Sequence, residues 1–423
     1  MSAATKKARS SRSLTTKGQA TRAAILDTAH EVFQEMGYYG LSISEITRRC
    51  RVSQGSFYQY FRNKEEVFLE LNDLTISRFM KRVASLSEVE LPLEDRLRES
   101  LRILYEHTRE NFAFHRILGE SELIDRVTNA YYESIAQFYQ NFFRRLTQDG
   151  TIRPLDPHML AYGLIGMCYF HSLEWEPSEE KYPQEKLIEL LLDLVQNGIS
   201  GPAPWKKPSS WDLLSLPDPI PIQNDAEHLM TKGEKTRKAI VRAAEKVFGQ
   251  HGFNRANIAE ITREAGVAQG TFYVHFKSKS DLMEGLIREL SHKIRRELQR
   301  FVLKISDRRD VERVGTLAFL QFIRQHREIY HVIPEVEMVN PEASFWYYNR
   351  WSQGYIQGLK KGIQKGEIRN LPESFLARSL MGFVHIIGLK WIIWNPNPQT
   401  GLSSQLLKDI IEFILYGLSS KNK

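Results

Sequence analysis

Apolar residues recur at a helical spacing near the start of the chain. Ile25, Ala29, Val32 and Phe33 occupy positions i, i+4, i+7 and i+8, which predicts an amphipathic helix. Gly37 predicts the end of this helix, because glycine adopts a positive φ at low cost. The same apolar spacing and the same glycine recur 215 positions later.

Two shorter helical patterns follow this first helix. Ser42 lies where an N-cap is needed, with Glu45 three residues later as in a capping box, and Ile46 faces inward. A turn around Arg51 leads to a third helix that begins near Gln54. These features predict two short helices joined by a tight turn, which is the arrangement of a helix-turn-helix.

The third helix separates an apolar face from a polar one. Phe57 and Phe61, at i and i+4, lie on one face. Gln54, Tyr58 and Gln59 lie toward the other side, which suits a helix that reads a DNA groove. Any solvent-exposed face is polar, so this polarity alone would be weak support.

The repetition extends over the whole chain and makes that interpretation stronger. Residues 17–64 match residues 232–279 without a gap, with 22 of 48 positions identical. A second, sparser match has an offset of 216. It pairs Gly150, Ile152, Arg153, Ala161, Gly166 and Trp175 with Gly366, Ile368, Arg369, Ala377, Gly382 and Trp391. We therefore predict a tandem duplication of one unit.

Beyond each helix-turn-helix the pattern predicts long amphipathic helices. We expect them at about 93–110, 124–148, 158–175 and 184–198, and at about 308–326, 342–365, 373–394 and 403–418. The last two in each copy are apolar on several faces, so they need a partner beyond their own bundle. The natural partner is the other copy, which predicts an all-α intramolecular pseudo-dimer.

These patterns give the domain boundaries. We expect a basic tail over 1–16, a first helix-turn-helix domain over 17–64, a first helical ligand and dimerisation domain over 65–200, a proline-rich linker over 201–228, a second helix-turn-helix domain over 229–279 and a second helical domain over 280–423. The linker is expected to be extended, with Trp205 and Trp211 laid against the protein body.

Positive charge is concentrated in the segments that carry the helix-turn-helix patterns. The net charge is +7, but residues 1–16 carry +4, residues 17–64 carry +3 and residues 232–279 carry +6, which leaves −6 for the rest. A basic surface can serve solubility alone. Duplicated basic units on an acidic body fit nucleic-acid binding better.

Composition excludes several other classes of protein. The chain has 423 residues, too many for one core, and its two cysteines show no pairing pattern. The most apolar stretch, 376–394, is interrupted by Arg378, His385 and Lys390, so we expect no membrane span. No catalytic or metal-binding motif is present. We expect a cytoplasmic protein that is not an enzyme and needs neither cofactor nor metal.

The repeated string Gln-Gly-Ser/Thr-Phe-Tyr and the patterns around it resemble the TetR family of transcriptional regulators. The resemblance is specific over roughly residues 20–64 and 235–279. It implies DNA contacts at Ser42, Ser53, Gln54, Gly55, Ser56, Tyr58, Gln59, Tyr60 and Lys64 in the first copy, and at Asn257, Gln269, Gly270, Thr271, Tyr273, Val274, His275 and Lys279 in the second. One departure is Arg51, where the second copy has Gly266; a side chain is costly in a left-handed turn, so we expect the first turn to be slightly strained or differently shaped.

The resemblance also implies a small-molecule effector in a helical domain. Candidate ligand-binding residues are Glu120, Glu122, Tyr169, Trp175, Glu335, Glu337, Trp346, Trp351 and Trp391. Core packing of the aromatics and ordinary salt bridges of the glutamates are the alternatives. Burial of the glutamates beside an unfilled cavity would favour ligand binding.

We therefore predict a sequence-specific DNA-binding regulator, expected to be a repressor that a small apolar or aromatic effector releases. Its two recognition helices would enter successive major grooves, about 34–36 Å apart, and read an imperfect palindrome. A nonspecific architectural DNA-binding protein and an interaction protein without DNA binding are the alternatives. The partners are double-stranded DNA and an effector, with no membrane, and association of two chains stays open.

Overall fold

The computed structural model describes residues 15–88, 91–115, 122–173, 182–208, 214–219, 230–330, 333–395, 397 and 401–419. The chain divides into two compact units, Met1–Leu74 and Thr75–Lys423. The described residues form helices joined by turns and loops, and the single β-bridge among them joins Ser200 and Ile368. The all-α fold class predicted from the periodicity is confirmed.

The first unit contains the first helix-turn-helix. Its helices are α1 (Thr16–Gly40), α2 (Ile43–Cys50), α3 (Gln54–Tyr60) and the start of α4 (Lys64–Glu88). Phe33, Phe57 and Phe68 are fully buried at its centre because each lies on the inward face of its helix. Gly37 has a φ of 67° and ends the regular part of α1, as the sequence predicts.

The second unit holds the remaining helices. They are α5 (Leu93–Glu110), α6 (Glu122–Gln148), α7 (Pro157–Ser172), α8 (Gln184–Asn197), α9 (Lys232–Arg255), α10 (Ile258–Glu264), α11 (Gln269–His275), α12 (Lys279–Val302), α13 (Arg308–Gln325), α14 (Arg327–Tyr330), α15 (Ile333–Val339), α16 (Pro341–Gln364), α17 (Glu373–Gly388) and α18 (Ser404–Tyr416). A short 3₁₀ turn, Phe112–His115, follows α5, and a π-helical segment, Leu389–Ile393, continues α17.

The predicted helix ranges agree with these bounds to within a few residues. The pattern missed α14 and α15, which have four and seven residues and are too short to show a period. Trp205 of the linker lies against the body as predicted, since its indole N–H donates to Asp310 at 3.0 Å. Trp211 lies outside the described residues.

Helices α7 and α17 form the contact between the two sequence copies. They cross at Gly166 and Gly382, the glycines paired at the offset of 216. A Cβ atom at either position would collide with the main-chain carbonyl of the other. Glycine at both positions therefore permits a backbone approach that any other residue would prevent.

Hydrogen bonds at the ends of α8 and α18 extend this contact with approximate two-fold symmetry. The N–H of Ile199 donates to the carbonyl of Ile414 at 3.0 Å, and the N–H of Leu418 donates to Val195 at 2.9 Å. Arg153 and Arg369, also paired at the offset, donate their N–H groups to Leu418 and Ile199. The two copies therefore pair within one chain, as the apolar helix faces predict.

By length and composition alone, helix α17 and its π-helical extension, Glu373–Ile393, are long and apolar enough to cross a membrane, even though Arg378, His385 and Lys390 interrupt the stretch. No other segment of the described ranges meets that criterion. Within its most apolar window, 83% is buried inside the protein. The segment is accordingly a core helix whose apolar faces are covered by α7 and its neighbours.

Candidate nucleic-acid interface and effector cavity

Helix α3 presents a polar face and buries an aromatic one. Its N-cap is Ser53, whose hydroxyl accepts the N–H of Ser56 at 3.0 Å. Phe57 is buried, whereas Gln54 and Gln59 are exposed and Tyr58 is 54% exposed. Gly55 is exposed, Ser56 and Tyr60 are partly exposed, and the helix thus offers short donors and acceptors along one side.

Helix α11 repeats this arrangement with a different outward chemistry. Phe272 is buried, Gln269 and Gly270 are exposed, and Tyr273 is 56% exposed. Val274, at the position of Gln59, is 78% exposed. An aliphatic side chain held in solvent has no role in the core, so its exposure suits a contact with an apolar group such as a thymine methyl.

The turn before each recognition helix adopts the left-handed conformation. Arg51 has φ 57° and ψ 38°, and is the only non-glycine residue with a positive φ in the described ranges. Gly266 has a φ of 68° at the corresponding turn. The strain expected from Arg51 therefore has a structural basis, because a Cβ makes this conformation less favourable.

Helices α2 and α10 begin at the predicted N-caps. The hydroxyl of Ser42 accepts the N–H of Glu45 at 3.2 Å, and the amide oxygen of Asn257 accepts that of Glu260 at 2.8 Å. The other half of the capping box, in which the glutamate side chain accepts the N–H of the N-cap residue, was wrongly predicted for Ser42 and Glu45. The Glu45 carboxylate accepts hydrogen bonds from Arg48 and Arg49 instead, which lowers its pKa to about 2.

Lys64 and Lys279 lie at the first residue of the helix that follows each recognition helix. The Lys64 ammonium donates to the carbonyl of Tyr38 at 3.2 Å and lies 4.1 Å from the centre of its ring. The Lys279 ammonium donates to Phe253 and Ala256 at 2.6 and 2.8 Å. Both lysines therefore close the C-terminal end of the first helix of their domain, a role that sequence reasoning missed.

Glu335 attaches the second helix-turn-helix to the helical body. It is 1% exposed, and its Oε2 accepts the N–H of Phe253 at 2.7 Å. Phe253 directly follows the bend at Gly252, and its carbonyl accepts from Lys279. A carboxylate and an ammonium thus hold the two ends of one peptide segment at the bend.

Glu337, two residues along α15, connects the two copies. It is 4% exposed and accepts hydrogen bonds from the hydroxyls of Tyr169 at 2.5 Å and Tyr348 at 2.7 Å. Tyr169 belongs to α7 of the first copy, whereas Tyr348 belongs to α16 of the second. Burial raises the pKa of the Tyr348 hydroxyl well above its usual value, so it stays a donor.

The predicted ligand-binding residues are dispersed. Glu335 and Glu337 are buried, as a ligand-binding role requires. However, the Phe253 N–H bonds to Oε2 of Glu335, and the hydroxyls of Tyr169 and Tyr348 bond to the two oxygens of Glu337. Trp346 stacks against the Arg288 guanidinium, and Trp391 lies against Tyr162 and His158. Glu120 and Trp175 lie outside the described residues, and only the main chain of Glu122 is described. Tyr169 and Glu337 contact each other, but the members of the set that the structure describes do not lie together around one cavity.

A cavity of about 240 Å³ lies among α12, α13, α16 and α17. Of the predicted residues, Trp351 lines it. Its wall is formed by Arg295, Leu298, Gln299, Val302, Arg308, Val311, Glu312, Gly315, Thr316, Phe319, Trp351, Gly354, Tyr355, Leu380, Met381 and Val384. Most of these side chains are apolar, and a few polar groups converge on the same space, which is typical of a small-molecule site.

The polar groups of the cavity were not identified from the sequence. Arg308 and Glu312 are four residues apart on α13, and both are largely buried with N–O distances of 2.5 and 2.7 Å. Tyr355 donates its hydroxyl to Glu312 at 2.5 Å. Local sequence did not mark this pair, because the first half of α13 also carries the charged residues Arg309, Asp310 and Arg313.

These features define a helix-turn-helix protein, and comparison with known proteins identifies its family. The sequence profile described as "Bacterial regulatory proteins, tetR family" matches twice, at residues 25–71 and 240–286. The chain belongs to the TetR family and carries two TetR-like units in tandem. Two curated relatives, both from Bacillus subtilis strain 168, each correspond to less than half of it.

The first of these relatives is an uncharacterized HTH-type transcriptional regulator, YhgD, 22% identical over 42% of this chain and 95% of its own length. The second is a fatty acid metabolism regulator protein, 26% identical over 43% of this chain and 95% of its own. Among solved structures, the FadR regulator from Bacillus subtilis in complex with stearoyl-CoA is 20% identical, covers 43% of this chain and 98% of its own, and has a TM-score of 0.39.

Proposed function

We propose that this chain is a sequence-specific transcriptional regulator, acting as a repressor, in which one polypeptide supplies both halves of a DNA-binding dimer. The observation that carries the proposal is the crossing of α7 and α17 at Gly166 and Gly382. Ordinary two-fold binders need a second chain for the second half-site. Here the pairing surface of each copy is covered by the other copy of the same chain.

The exposed faces of α3 and α11 supply the contacts to bases. Gln54, Gln59 and Gln269 can pair with adenine, whereas the exposed Val274 suits a thymine methyl. Tyr58 and Tyr273 can donate their hydroxyls to phosphate. We also assign phosphate contact to the helix ends at Lys64 and Lys279, whose ammonium groups also hold main-chain carbonyls.

The two heads differ where they would read sequence. Gln59 and Tyr60 of the first copy correspond to Val274 and His275 of the second. Two unlike reading faces predict an operator with unlike half-sites. The operator would therefore be an imperfect palindrome.

The effector is proposed to bind in the cavity among α12, α13, α16 and α17. Helix α12 begins at Lys279, which holds the second helix-turn-helix, and it also lines the cavity with its C-terminal half. A ligand in the cavity that shifts α12 would therefore also move the second helix-turn-helix. The name of the fatty acid metabolism regulator, a relative at 26% identity, suggests fatty acyl compounds for the first trials.

Selection of bound fragments from a random DNA pool tests the proposal. The wild-type chain should enrich one motif with two related but unequal halves. The double variant Val274→Gln, His275→Tyr should make the halves more alike, whereas the exposed control Lys360→Gln should leave the motif unchanged. Recovery of no motif, together with a steep dependence of affinity on salt, would instead identify a nonspecific architectural binder.

A further inference from the structure

The cavity on the second copy contains one cluster of polar groups that satisfy one another. Arg308 donates to Glu312, and Glu312 also accepts from the Tyr355 hydroxyl. The Glu312 carboxylate is thus the common acceptor of the Arg308 guanidinium and the Tyr355 hydroxyl. This cluster is neutral overall and requires no charge from a ligand.

Arg295, on α12 at the same cavity, is in a different electrostatic situation. Its Nε donates to the carbonyl of Ser291 at 3.2 Å, and its Nη2 lies 2.8 Å from the Nδ1 of His292. No carboxylate within the described ranges forms an ion pair with it. Desolvation and the positive charge of Arg350 both lower its pKa, which is the direction expected for an uncompensated cation.

The cavity therefore combines an apolar wall with one unbalanced positive charge. Leu298, Val302, Phe319 and Met381 line the space next to the aromatic ring of Trp351. An apolar ligand alone would fill the volume but leave the cation without a counter-charge. An ion without an apolar part would leave the wall exposed to water.

We propose that the cavity binds an apolar acid, with the anionic group at the Arg295 guanidinium and the apolar part between Phe319, Trp351 and Met381. The proposal rests on the proposed effector role of this cavity and names the chemical class of ligand. A guanidinium presents two parallel N–H groups and so matches a carboxylate or a phosphate better than it matches a neutral amide. A free carboxylic acid would present its carboxylate to Arg295, whereas a coenzyme A thioester, whose acyl carbonyl is neutral, would present a phosphate of the coenzyme.

The test compares acids with neutral analogues of equal size. Straight-chain carboxylates of about four to ten carbons, benzoate and phenylacetate are each titrated against their primary amides by calorimetry at near-physiological salt. The best acid should bind the wild-type chain about tenfold more tightly than its amide. Hexanoyl-CoA, compared with hexanoate, distinguishes the thioester source from the free acid.

Two variants and one control locate the interaction. Arg295→Met should remove the preference for acid over amide and leave amide binding unchanged, whereas Lys360→Met, an exposed lysine on α16, should keep it. Gly354→Leu should abolish binding of both, because a Cβ at Gly354 meets open space and the added side chain can extend into the cavity. Its far-ultraviolet circular dichroism and operator binding check that it folds.

The outcomes separate this inference from the proposed function. Equal binding of acids and amides would overturn the charge inference while keeping the cavity as an effector site. Binding of neither, with intact operator recognition, would overturn both the inference and the effector role but not DNA binding. Acid binding that survives Arg295→Met or Gly354→Leu would place the ligand elsewhere and refute the assignment.

Discussion

The close crossing of α7 and α17 gives a prediction that can be worked out from two glycines. Replacing Gly166 by alanine would bring a methyl group against the main-chain carbonyl of Gly382. A carbonyl in the middle of a helix cannot rotate away, so the two helices must separate. Overpacking of this kind costs about 1–3 kcal/mol.

A matched control separates this collision from the intrinsic effect of the substitution. Gly354 also lies within a helix, but a Cβ there meets nothing within 4 Å. Alanine is favoured over glycine in a helix by up to about 1 kcal/mol, so Gly354→Ala should stabilise the protein by that amount. Both variants share this intrinsic gain, so they should differ by the collision cost alone, about 1–3 kcal/mol.

Urea unfolding followed by tryptophan fluorescence is a suitable assay. All seven tryptophans lie beyond residue 74, so the signal reports on the second unit. Gly166→Ala should lower the midpoint relative to wild type, and Gly382→Ala should do the same. Equal or higher stability of Gly166→Ala compared with Gly354→Ala would show that the helices do not approach this closely in solution.

Three further predictions follow from buried groups and from the first turn. Tyr169→Phe should destabilise the second unit by about 1–3 kcal/mol, since it removes a donor from the buried Glu337 carboxylate; unchanged urea stability would contradict the link. Burial lowers the pKa of His171 and His385 to about 3, below the unfolded value near 6.5, so stability should fall as pH drops below about 6.5, by up to about 1.4 kcal/mol per pH unit for each. Urea titrations at pH 7, 6 and 5 check the sign, and a flat profile would refute it. Arg51→Gly should stabilise the first unit by about 1 kcal/mol by relieving the left-handed turn; hydrogen exchange of α2 amides should slow, and faster exchange would argue against strain.

The sequence was most informative where structure depends on local spacing. Amphipathic periodicity gave the long helices nearly to the residue, and Ser42 and Asn257 are the N-caps that their residue types favour. The duplication and the all-round apolar faces predicted the pairing of copies. Each of these features depends on residues a few positions apart, or on a repeat visible in the sequence itself.

Tertiary contacts account for what the sequence did not reveal. Glu335 and Glu337 were flagged as a pair, but their partners Phe253, Tyr169 and Tyr348 are 11 to 168 positions distant in the chain. Nothing in local spacing indicates that they bind protein groups instead of a ligand. The cavity has the same character, because its wall is assembled from four helices and only Trp351 was among the predicted residues.

The central claim is that one chain provides both halves of the DNA-binding dimer. The direct measurement is the mass of the complex between the protein and its selected operator, by sedimentation equilibrium or native mass spectrometry. The account predicts a single 49.2 kDa chain on each duplex. When one half-site of the operator is mutated, a single chain should still bind the duplex through the other half-site. The affinity of the complex should fall. A complex that forms only with two chains on each duplex would contradict the claim.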